Sequence, residues 1–388
     1  MKIAFTFEEL NPAKGGCETY LVELLRRLAR DDHELHLYGV AADPNALPPN
    51  LVFHPIAASK GPRFLKLWRF AAECERVLAG TDYDVVVGLT HTWRQDVLIP
   101  QGGLPTINAR FNLQKYVDPI TRGLSWLGQR LSPMHWSLAQ IEHKTYVQAP
   151  PPLVVVPSRF VLGHLVAKYA YGPEIVRVNP NAIDPRRFVA YDRPLRRLQM
   201  REQLGLKPTD VVALFSGHNY RLKGLGPLLR ALTLVQKRRC HLLVCGSRKF
   251  ASYQRLAERL GVAERVHFLG FVEDVRDCYY ASDFLIHPTF YDPCALVTFE
   301  ALACALPVIT TLSNGASELL PPALAEHVID DPHDAANLAR HIEQLCDPVH
   351  RTALARVARQ ASAAWTFEDH YQALLQILLE AAARKQAA

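Results

Sequence analysis

Several signatures of common protein classes are missing from this chain of 388 residues. No apolar run approaches the ~18 residues that a membrane-spanning helix needs. Its eight cysteines include no Cys-x-x-Cys pair and no matching histidine spacing, which excludes the usual structural zinc sites and a disulfide framework. The cysteines are therefore predicted to be reduced thiols that lie mostly in the interior.

Two loops that bind nucleotide phosphates in other proteins are also absent. Without a Gly-x-x-x-x-Gly-Lys-Ser/Thr loop the chain is not a P-loop NTPase, and without a Gly-x-Gly-x-x-Gly loop it does not fit a nicotinamide oxidoreductase. The sequence also offers no Asp-x-Asp pair placed to hold a metal ion. Its hydrophobic content of 49% is enough to fill the cores of two ordinary domains.

The charge is weakly basic and unevenly distributed. The formal net charge of +6, together with the absence of a known nucleic-acid module, makes nucleic acid the least favoured partner. In the segment 110–145 basic residues alternate with large apolar ones, which favours helices lying on an anionic inner-membrane surface. Packing of the same side chains in a core explains the pattern equally well. The large apolar residues are Leu124, Trp126, Leu127, Leu131, Met134, Trp136 and Leu138.

The order of short apolar runs and amphipathic stretches predicts an α/β fold of two doubly wound Rossmann-like domains. The first domain is predicted at residues 1–182 and the second at 183–365, with a final helix at 366–388 that packs back across the domain junction. Because ligands of such sheets bind beyond the carboxyl ends of the strands, we expect the site in a central cleft between facing domains. The predicted strands are 2–7, 34–38, 85–88 and 153–157 in the first domain and 211–216, 241–245, 265–269, 284–287 and 308–311 in the second.

The N-terminus gives an expectation about location. Glu8 and Glu9 directly follow the first apolar run, so this run is predicted to be a β-strand and not a signal peptide. The protein is therefore expected in the cytosol.

The segment 287–309 carries the strongest functional signal. Asp292 followed by Pro293 has the form of a helix N-cap and first helical residue, whose backbone N–H groups would face an anion or a sugar hydroxyl. Glu300 lies among apolar neighbours at helical spacing, so its carboxylate requires a polar partner, which a ribose diol would supply. The alternative is a capped core helix whose glutamate pairs with a backbone donor.

Two further segments follow predicted strands. Arg221 and Lys223 bring two cations to the positive end of a predicted helix, an arrangement that is unfavourable without an anion such as a diphosphate. Two solvated surface cations are the alternative. Gly15 and Gly16 follow the first strand, where paired glycines let the backbone approach a ligand closely, although a plain turn also explains them.

The loop after the strand 85–88 contains one candidate catalytic group. Asp96 is a candidate base or hydroxyl-positioning residue at the cleft-facing edge of the first domain, with His91 as a second candidate. A single aspartate or histidine in a loop is more often structural, so both interpretations remain open.

Taken together, these motifs resemble the family 4 retaining glycosyltransferases of GT-B fold, and within that family the glucosyltransferases of lipopolysaccharide core synthesis. The resemblance spans nearly the whole chain and is specific to the family. The residues that carry it are Gly15-Gly16, Asp96-Val97, Gly217, Lys223-Gly224, Arg248-Lys249-Phe250, 256–262, 266–268, 281–288, Glu300-Ala301 and 307–311.

The resemblance implies a catalytic set of Asp292, Glu300, Lys223 and Asp96. Asp292 stands at the first position of the family's Glu-x7-Glu signature, which contacts donor-sugar hydroxyls, and Glu300 would hold the ribose. Lys223 would neutralise the departing diphosphate. The residues implied in nucleotide-sugar binding are Gly15, Gly16, Gly217, Arg221, Lys223, Arg248, Phe271, Val272, Cys294, Ala295, Leu296 and Glu300, with Phe271 and Val272 beside the base and the N–H groups near Cys294 and Ala295 facing the donor.

The implied reaction is transfer of a hexose, in particular glucose, from a UDP-sugar to a lipopolysaccharide-type or other lipid-linked glycan. Neither a cofactor nor a metal is expected, because Arg221 and Lys223 would stabilise the charge of the diphosphate. The enzyme is expected in the cytoplasm, with contact between the segment 110–145 and the cytoplasmic membrane face as one alternative.

Three departures from the family pattern support a second hypothesis. Asp292 replaces the usual glutamate, 293–295 replaces the usual Gly-Phe-Gly, and His218 stands where many relatives have arginine. A carboxylate displaced by ~1 Å can cost about a hundredfold in rate. The second hypothesis is a catalytically weak GT-B protein that binds a nucleotide sugar or a membrane partner without transfer.

Overall fold

A computed structural model describes residues 1–57, 60–89 and 91–387 of the chain. It divides into two compact units, one made of Met1–Pro180 and the segment from Asp369 onward, the other of Asn181–Glu368. The sequence analysis placed the boundaries after residues 182 and 365. The segment from Asp369 onward, predicted as a separate element, is counted in the first unit.

The first unit is built on a parallel sheet of seven strands. The strands of the unit, including two outside this sheet, are β1 (Lys2–Thr6), β2 (Glu9–Leu10), β3 (Glu34–Gly39), β4 (Ala41–Ala42), β5 (Leu51–Pro55), β6 (Val85–Gly88), β7 (Val97–Leu98), β8 (Leu153–Val156) and β9 (Val176–Val178). The sheet order is β5-β3-β1-β6-β7-β8-β9, while β2 and β4 pair separately. The order reverses between β1 and β6, which is where ligands of doubly wound sheets bind.

Six helices of the first unit precede the second unit in the sequence. They are α1 (Gly16–Arg30), α2 (Arg63–Leu78), α3 (Pro105–Gln114), α4 (Pro119–Leu131), α5 (Pro133–Val147) and α6 (Arg159–Tyr169). In α1 the buried positions include Leu21, Leu24, Leu25 and Leu28, a helical spacing that explains why this segment folds as an amphipathic helix against the sheet.

The second unit contains a parallel sheet of six strands in the Rossmann order. The strands are β10 (Val211–Gly217), β11 (Cys240–Gly246), β12 (Val266–Gly270), β13 (Phe284–His287), β14 (Val308–Thr311) and β15 (Val328–Ile329). They are arranged β12-β11-β10-β13-β14-β15, so the order reverses between β10 and β13. All four residues of β13 are buried, as expected for a central strand that is covered on both faces.

Eight helices follow one another in the second unit. They are α7 (Arg193–Gln203), α8 (Leu225–Leu234), α9 (Ala251–Arg259), α10 (Arg276–Ala281), α11 (Leu296–Ala303), α12 (Pro322–Ala325), α13 (Ala335–Cys346) and α14 (Pro348–Ala364). The final helix is α15 (Phe367–Gln386). Within the first unit, α15 contacts α1 and its C-terminal end through two hydrogen bonds: the Tyr20 hydroxyl donates to His370 Nε2, and the Tyr371 hydroxyl donates to Asp31.

The structure confirms the predicted α/β class and most of the predicted strands. The strands predicted at 85–88, 284–287 and 308–311 have the predicted bounds. The sequence pattern did not predict the strands β2, β4, β5, β7, β9 and β15. Of these, β2, β4, β7 and β15 are only two residues long and therefore carry no recognisable period. All eight cysteines are free, and all but Cys17 are buried, as predicted.

The segment 105–147 folds as the helices α3, α4 and α5, and the predicted helical block of basic and large apolar residues lies mainly on α4 and α5. Met134 and Leu138 pack against a core cluster, but Trp126 and Trp136 are exposed, so the core interpretation is wrong for these two tryptophans. The outer face of α4 also exposes Ile120, Leu124, Leu127 and Leu131. None of the helices in the described parts of the chain has the length and apolar character needed to cross a membrane.

Candidate functional site in the second unit

The carboxyl ends of β10 and β13 bring two charged side chains into contact. Lys223 follows β10 and Asp292 follows β13, and the Lys223 ammonium is paired with Asp292 Oδ2. The same ammonium lies 3.4 Å from the carbonyl oxygen of Tyr291. The side chains of Lys223 and Asp292 are 18% and 14% exposed, so this ion pair is partly shielded but reachable from solvent. Two of the residues predicted for a donor site therefore meet at the reversal point of the sheet.

His287 is a third member of this group, and the sequence analysis gave it no role. It ends β13, and its Nε2 lies 3.2 Å from Asp292 Oδ2. Its Nδ1 is buried and has no hydrogen-bond partner among the residues that the structure describes. Burial lowers the pKa of His287, and the nearby carboxylate only partly offsets this. A neutral ring that donates from Nε2 to Asp292 fits these contacts.

The charge state of Asp292 follows from the same contacts. Burial alone would raise the pKa of Asp292, but the Lys223 ammonium and the hydrogen bond from His287 outweigh it and hold the pKa well below its usual range. Asp292 is therefore an ionised acceptor at neutral pH. It can bind hydroxyl groups or stabilise a positive charge that develops beside it.

The loop before α8 fixes the position of Lys223. The Lys223 N–H donates to Asn219 O at 2.9 Å, and the Phe290 N–H donates to Leu222 O at 2.9 Å, so the loops after β10 and β13 are joined. Gly224 caps α8 with φ of 82°, and a Cβ at this position would lie 2.0 Å from Pro288 O. Glycine is required here by both its backbone conformation and the close approach of a neighbouring carbonyl.

The prediction that Asp292 caps the following helix is wrong. The helix α11 begins at Leu296 with Ala295 as its N-cap. The backbone of Asp292 instead pairs with the loop after β14, donating to Ser313 O and accepting from Gly315, both at 2.9 Å. The Asp292 carboxylate does not cap α11 and instead contacts Lys223 and His287.

Asn314, another residue without a predicted role, organises the start of α11. Its Oδ1 accepts from Ala295 N–H at 3.1 Å, while its Nδ2 donates to Thr298 Oγ1 and Thr310 Oγ1. The N–H of Ala295 was predicted to face the nucleotide-sugar donor, but it donates its hydrogen bond to Asn314 instead. Cys294 is buried, and its carbonyl accepts from Asn181 at 3.1 Å.

Glu300 lies on α11, and its predicted polar partner is a phenol. The buried hydroxyl of Tyr279, on α10, donates to Glu300 Oε2 at 2.6 Å. Burial raises the pKa of Glu300, and this hydrogen bond opposes the rise. The alternative hypothesis paired Glu300 with a backbone N–H, but the donor to Oε2 is a side chain.

The remaining predicted residues of the second unit follow the ends of neighbouring strands. Gly217 ends β10, and a Cβ there would lie 3.4 Å from Lys223 Cγ. Arg248 follows β11 and Phe271 follows β12, and the guanidinium lies 5.5 Å from the centre of the Phe271 ring. Arg221 is exposed at the same edge of the sheet. Val272 packs against the core, and Leu296 starts α11.

Asp96 does not lie where the sequence analysis placed it. It directly precedes β7 and is level with Val86, below the carboxyl end of β6. Its Oδ2 accepts from the Val86 N–H at 2.8 Å and from Lys385 Nζ at 2.9 Å. The loop after β6 turns back before β7 begins, which removes Asp96 from the ligand edge. These contacts fix strands and the final helix of the first unit to each other.

A cavity of about 490 Å³ lies beyond the carboxyl ends of β1, β6 and β7 in the first unit. Gly15 caps α1 and Gly16 is its first residue, and the following Cys17 and Glu18 line the cavity. His91 also lines it. The volume lies within the range of ~300 to 1,000 Å³ that small-molecule sites occupy.

Models of two glycosyltransferase families match the chain. A model described as Glycosyltransferase Family 4 matches residues 14–187, and one described as Glycosyl transferases group 1 matches residues 210–347. The two matches together cover most of the chain and correspond to its two units.

Known proteins similar to the chain carry related descriptions. The D-inositol 3-phosphate glycosyltransferase of Salinispora arenicola (strain CNS-205) is 26% identical, over 95% of this chain and 88% of that protein. The lipopolysaccharide glucosyltransferase WaaG of Escherichia coli (strain K12) is 28% identical, over 58% of this chain and 60% of that protein.

Solved structures show the same fold. A crystal structure of WaaG, described as a glycosyltransferase involved in lipopolysaccharide biosynthesis, matches with a TM-score of 0.79 and 22% identity, covering 98% of both chains. A structure of Anabaena Alr3699/HepE in complex with UDP-glucose matches with a TM-score of 0.70 and 19% identity, covering all of both chains.

Proposed function

The chain belongs to glycosyltransferase family 4, and on this premise we propose that it transfers glucose or a related hexose from a UDP-sugar to a lipid-linked glycan with retention of configuration. The observation that carries the proposal is the contact of Lys223 with Asp292 at the reversal point of the second sheet. A diphosphate and a sugar are the two groups that a cation and an ionised carboxylate at this edge would bind.

The donor diphosphate is proposed to bind at Lys223 and Arg221, beside the first turn of α8. Both cations lie at the positive end of that helix, where a negative charge is favoured. The likeness to HepE in complex with UDP-glucose supports uridine and glucose as the first choices for the donor. Arg248 and Phe271, which contact each other at the ends of the neighbouring strands, would border the base.

Catalysis is proposed to rest on electrostatic stabilisation. As the nucleoside diphosphate departs, Lys223 would stabilise its negative charge, while the ionised Asp292 would stabilise the positive charge that develops on the sugar. The acceptor hydroxyl would attack from the face that the diphosphate leaves. We propose that no metal ion takes part, because Lys223 and Arg221 supply the positive charge that the diphosphate requires.

The acceptor is proposed to bind in the cavity of the first unit. Glu18, His91 and the first turn of α1 provide polar groups for a glycan at the carboxyl end of the sheet. A lipopolysaccharide-type glycan is the first candidate, supported by the likeness to WaaG. The likeness to a D-inositol 3-phosphate glycosyltransferase makes a phosphorylated polyol the second candidate for the test.

A panel reaction followed by NMR tests this function. UDP- and GDP-hexoses are supplied with short glycan acceptors and, separately, with an inositol phosphate, and the wild type is compared with Glu300→Ala and Lys223→Ala. A glycoside with the anomeric configuration of the donor, lost in both variants, is the expected result. Tight binding of the nucleotide without transfer or hydrolysis of any donor would instead support the alternative of a binding protein.

The substitution Tyr279→Phe is expected to move the acidic limb of the kcat/KM profile toward higher pH by ~0.5 to 1 pH unit. Glu300 must be ionised to accept from a ribose diol, and the lost hydrogen bond is one that lowers the pKa of Glu300. The profile is measured with the donor as the varied substrate. Tyr280→Phe is the matched control, because the Tyr280 hydroxyl donates to Phe188 O. Identical acidic limbs in wild type and Tyr279→Phe would contradict the role of Glu300.

The exposed apolar face of α4 is proposed to lie on the cytoplasmic face of an anionic membrane. Leu124 and Leu131 are 67% and 72% exposed on this face, and Arg122 and Arg130 lie on the same helix. Replacing both leucines by serine is expected to weaken binding to vesicles containing phosphatidylglycerol by about tenfold or more, because each leucine loses its burial in lipid.

Vesicle binding is measured by sedimentation. The matched control is Leu195→Ser with Leu198→Ser, which removes two leucines of α7 in the second unit that are 55% and 58% exposed. Equal binding of wild type and the Leu124/Leu131 variant would rule out this face as the membrane contact.

A further inference from the structure

A second concave region opens beside the cavity of the first unit. It is a groove of about 330 Å³ between α3, α4 and α5, and it is lined mainly by apolar and aromatic side chains. Pro105, Ala109, His135 and Leu138 line both the groove and the cavity, so the two regions share a wall. The cavity and the groove are therefore immediate neighbours.

Two side-chain N–H groups along the groove are already paired within the protein. The indole N–H of Trp136 donates to Arg130 O at 2.6 Å, and the side-chain amide of Gln129 donates to Ala109 O at 3.2 Å. The Arg130 guanidinium lies 5.3 Å from the centre of the Trp126 ring. An occupant therefore needs no hydrogen-bonding groups beside Trp136 and Gln129, which fits a hydrocarbon chain there.

The junction between cavity and groove has the opposite character. His135 Nδ1 is buried there, and the described part of the chain offers it no hydrogen-bond partner. Such an atom calls for a polar group from outside the protein. The expected occupant is therefore polar where it passes His135 and apolar beyond it.

Resting on the proposed transferase function, we propose that the groove binds the hydrocarbon chain of the glycolipid acceptor while the cavity binds its sugar. Trp126 and Trp136, which are 49% and 65% exposed, form the outer end of the groove. The hydrocarbon chain would leave the groove next to the exposed face of α4. A glycolipid anchored in a bilayer could then place its sugar in the cavity while its hydrocarbon chain stays in apolar surroundings.

The test uses alkyl maltosides as probes, below their critical micelle concentrations. Octyl, decyl and dodecyl maltoside and maltose are titrated into the full chain. Binding is followed by the intrinsic fluorescence of its five tryptophans, of which Trp126 and Trp136 line the groove. The dissociation constant is expected to fall by about tenfold for every two added methylene groups, while maltose gives no comparable shift. Maltose binding as tightly as decyl maltoside would overturn the proposal.

Variants locate the binding. Ala139→Phe fills the groove and is expected to abolish the dependence on chain length, whereas Ala325→Phe, at an exposed position of α12, preserves it. The combined Leu124→Ser and Leu131→Ser variant also preserves it, because these leucines do not line the groove. Unchanged binding of the three maltosides by Ala139→Phe would overturn the proposal even if the wild-type series behaves as expected.

The two proposals fail in different ways. A chain-length dependence without any glycosyl transfer would keep the groove and reject the transferase function. Transfer with the same KM for a lipid-linked and a lipid-free acceptor, in wild type and Ala139→Phe alike, would keep the transferase and reject the groove.

Discussion

Replacing Lys223 by methionine is expected to lower kcat for glycosyl transfer by about a hundredfold to a thousandfold, the usual cost of removing a group that stabilises charge in a transition state. Lys223 lies at the reversal point of the sheet and contacts the carboxylate of Asp292. Methionine keeps most of the length of the side chain and removes only the charge and its hydrogen bonds. Initial rates at saturating donor and acceptor give the effect on kcat.

A second lysine provides the control for Lys223→Met. Lys249 is exposed and follows β11 in the same unit, so Lys249→Met makes the same change in charge without touching Asp292. It is expected to retain transfer within a few-fold of wild type. Equal losses in the two variants would show that net charge, and not the position of Lys223, controls the rate.

The same substitution has a consequence for stability in acid. The ion pair holds the pKa of Asp292 below its usual range, so it stabilises the fold above the ordinary aspartate pKa of ~3.9 and less as the pH falls. In Lys223→Met this contribution is reduced. The difference in melting temperature between wild type and variant should therefore be largest near neutral pH and shrink in acid. A difference that grows toward low pH would contradict the assigned charge states.

Gly224→Ala is expected to destabilise the second unit by about 3 to 5 kcal/mol, among the largest effects of a single methyl group. The backbone at Gly224 has φ of 82°, which costs alanine ~1 to 2 kcal/mol. The added Cβ would also lie 2.0 Å from Pro288 O, an impossible distance that forces the loops after β10 and β13 apart. Thermal unfolding followed by circular dichroism measures the loss.

Gly226 is a matched glycine two residues further along the same helix. A Cβ at Gly226 would meet only the end of Arg230, at 3.8 Å, so Gly226→Ala has room and gains helix propensity of ~0.5 to 1 kcal/mol. The two substitutions should therefore shift the melting temperature in opposite directions. A Gly224→Ala protein as stable as wild type would show that the loops can separate without cost.

The sequence predicted those parts of the site that depend on strand ends. The strand at 284–287 was recognisable from its apolar run, and whatever follows a parallel strand must lie at its carboxyl edge. That rule placed Lys223 and Asp292 on the same edge before any contact was known. It also could have pointed to Asn314, which follows β14, the strand next to β13.

Contacts that depend on packing between elements were beyond the sequence pattern. Tyr279 and Glu300 lie on different helices, and no local spacing relates them. His287 was visible as the last residue of its strand, but its hydrogen bond to Asp292 depends on the turn between them.

Two errors have a common physical cause, which is the path of a loop. The proline after Asp292 predicts an N-cap at this residue, but Asn314 provides the side-chain oxygen at that helix start. Asp96 was placed at the ligand edge because it follows a strand, but its loop returns to the start of the two-residue strand β7, which was too short to recognise. A correct assignment of Asp292 requires the position of β14, and a correct assignment of Asp96 requires that of β7.

The division of the chain also has a consequence for its synthesis. Asn181–Glu368 is a continuous segment, whereas the first unit is completed by the segment from Asp369 onward. Asp96 pairs with Lys385, and Arg177 pairs with Glu380. Lys385 and Glu380 leave the ribosome only after the whole second unit has emerged. Although domains usually fold in the order of synthesis, the unit made first here must wait with part of its surface uncovered until the unit made second is complete.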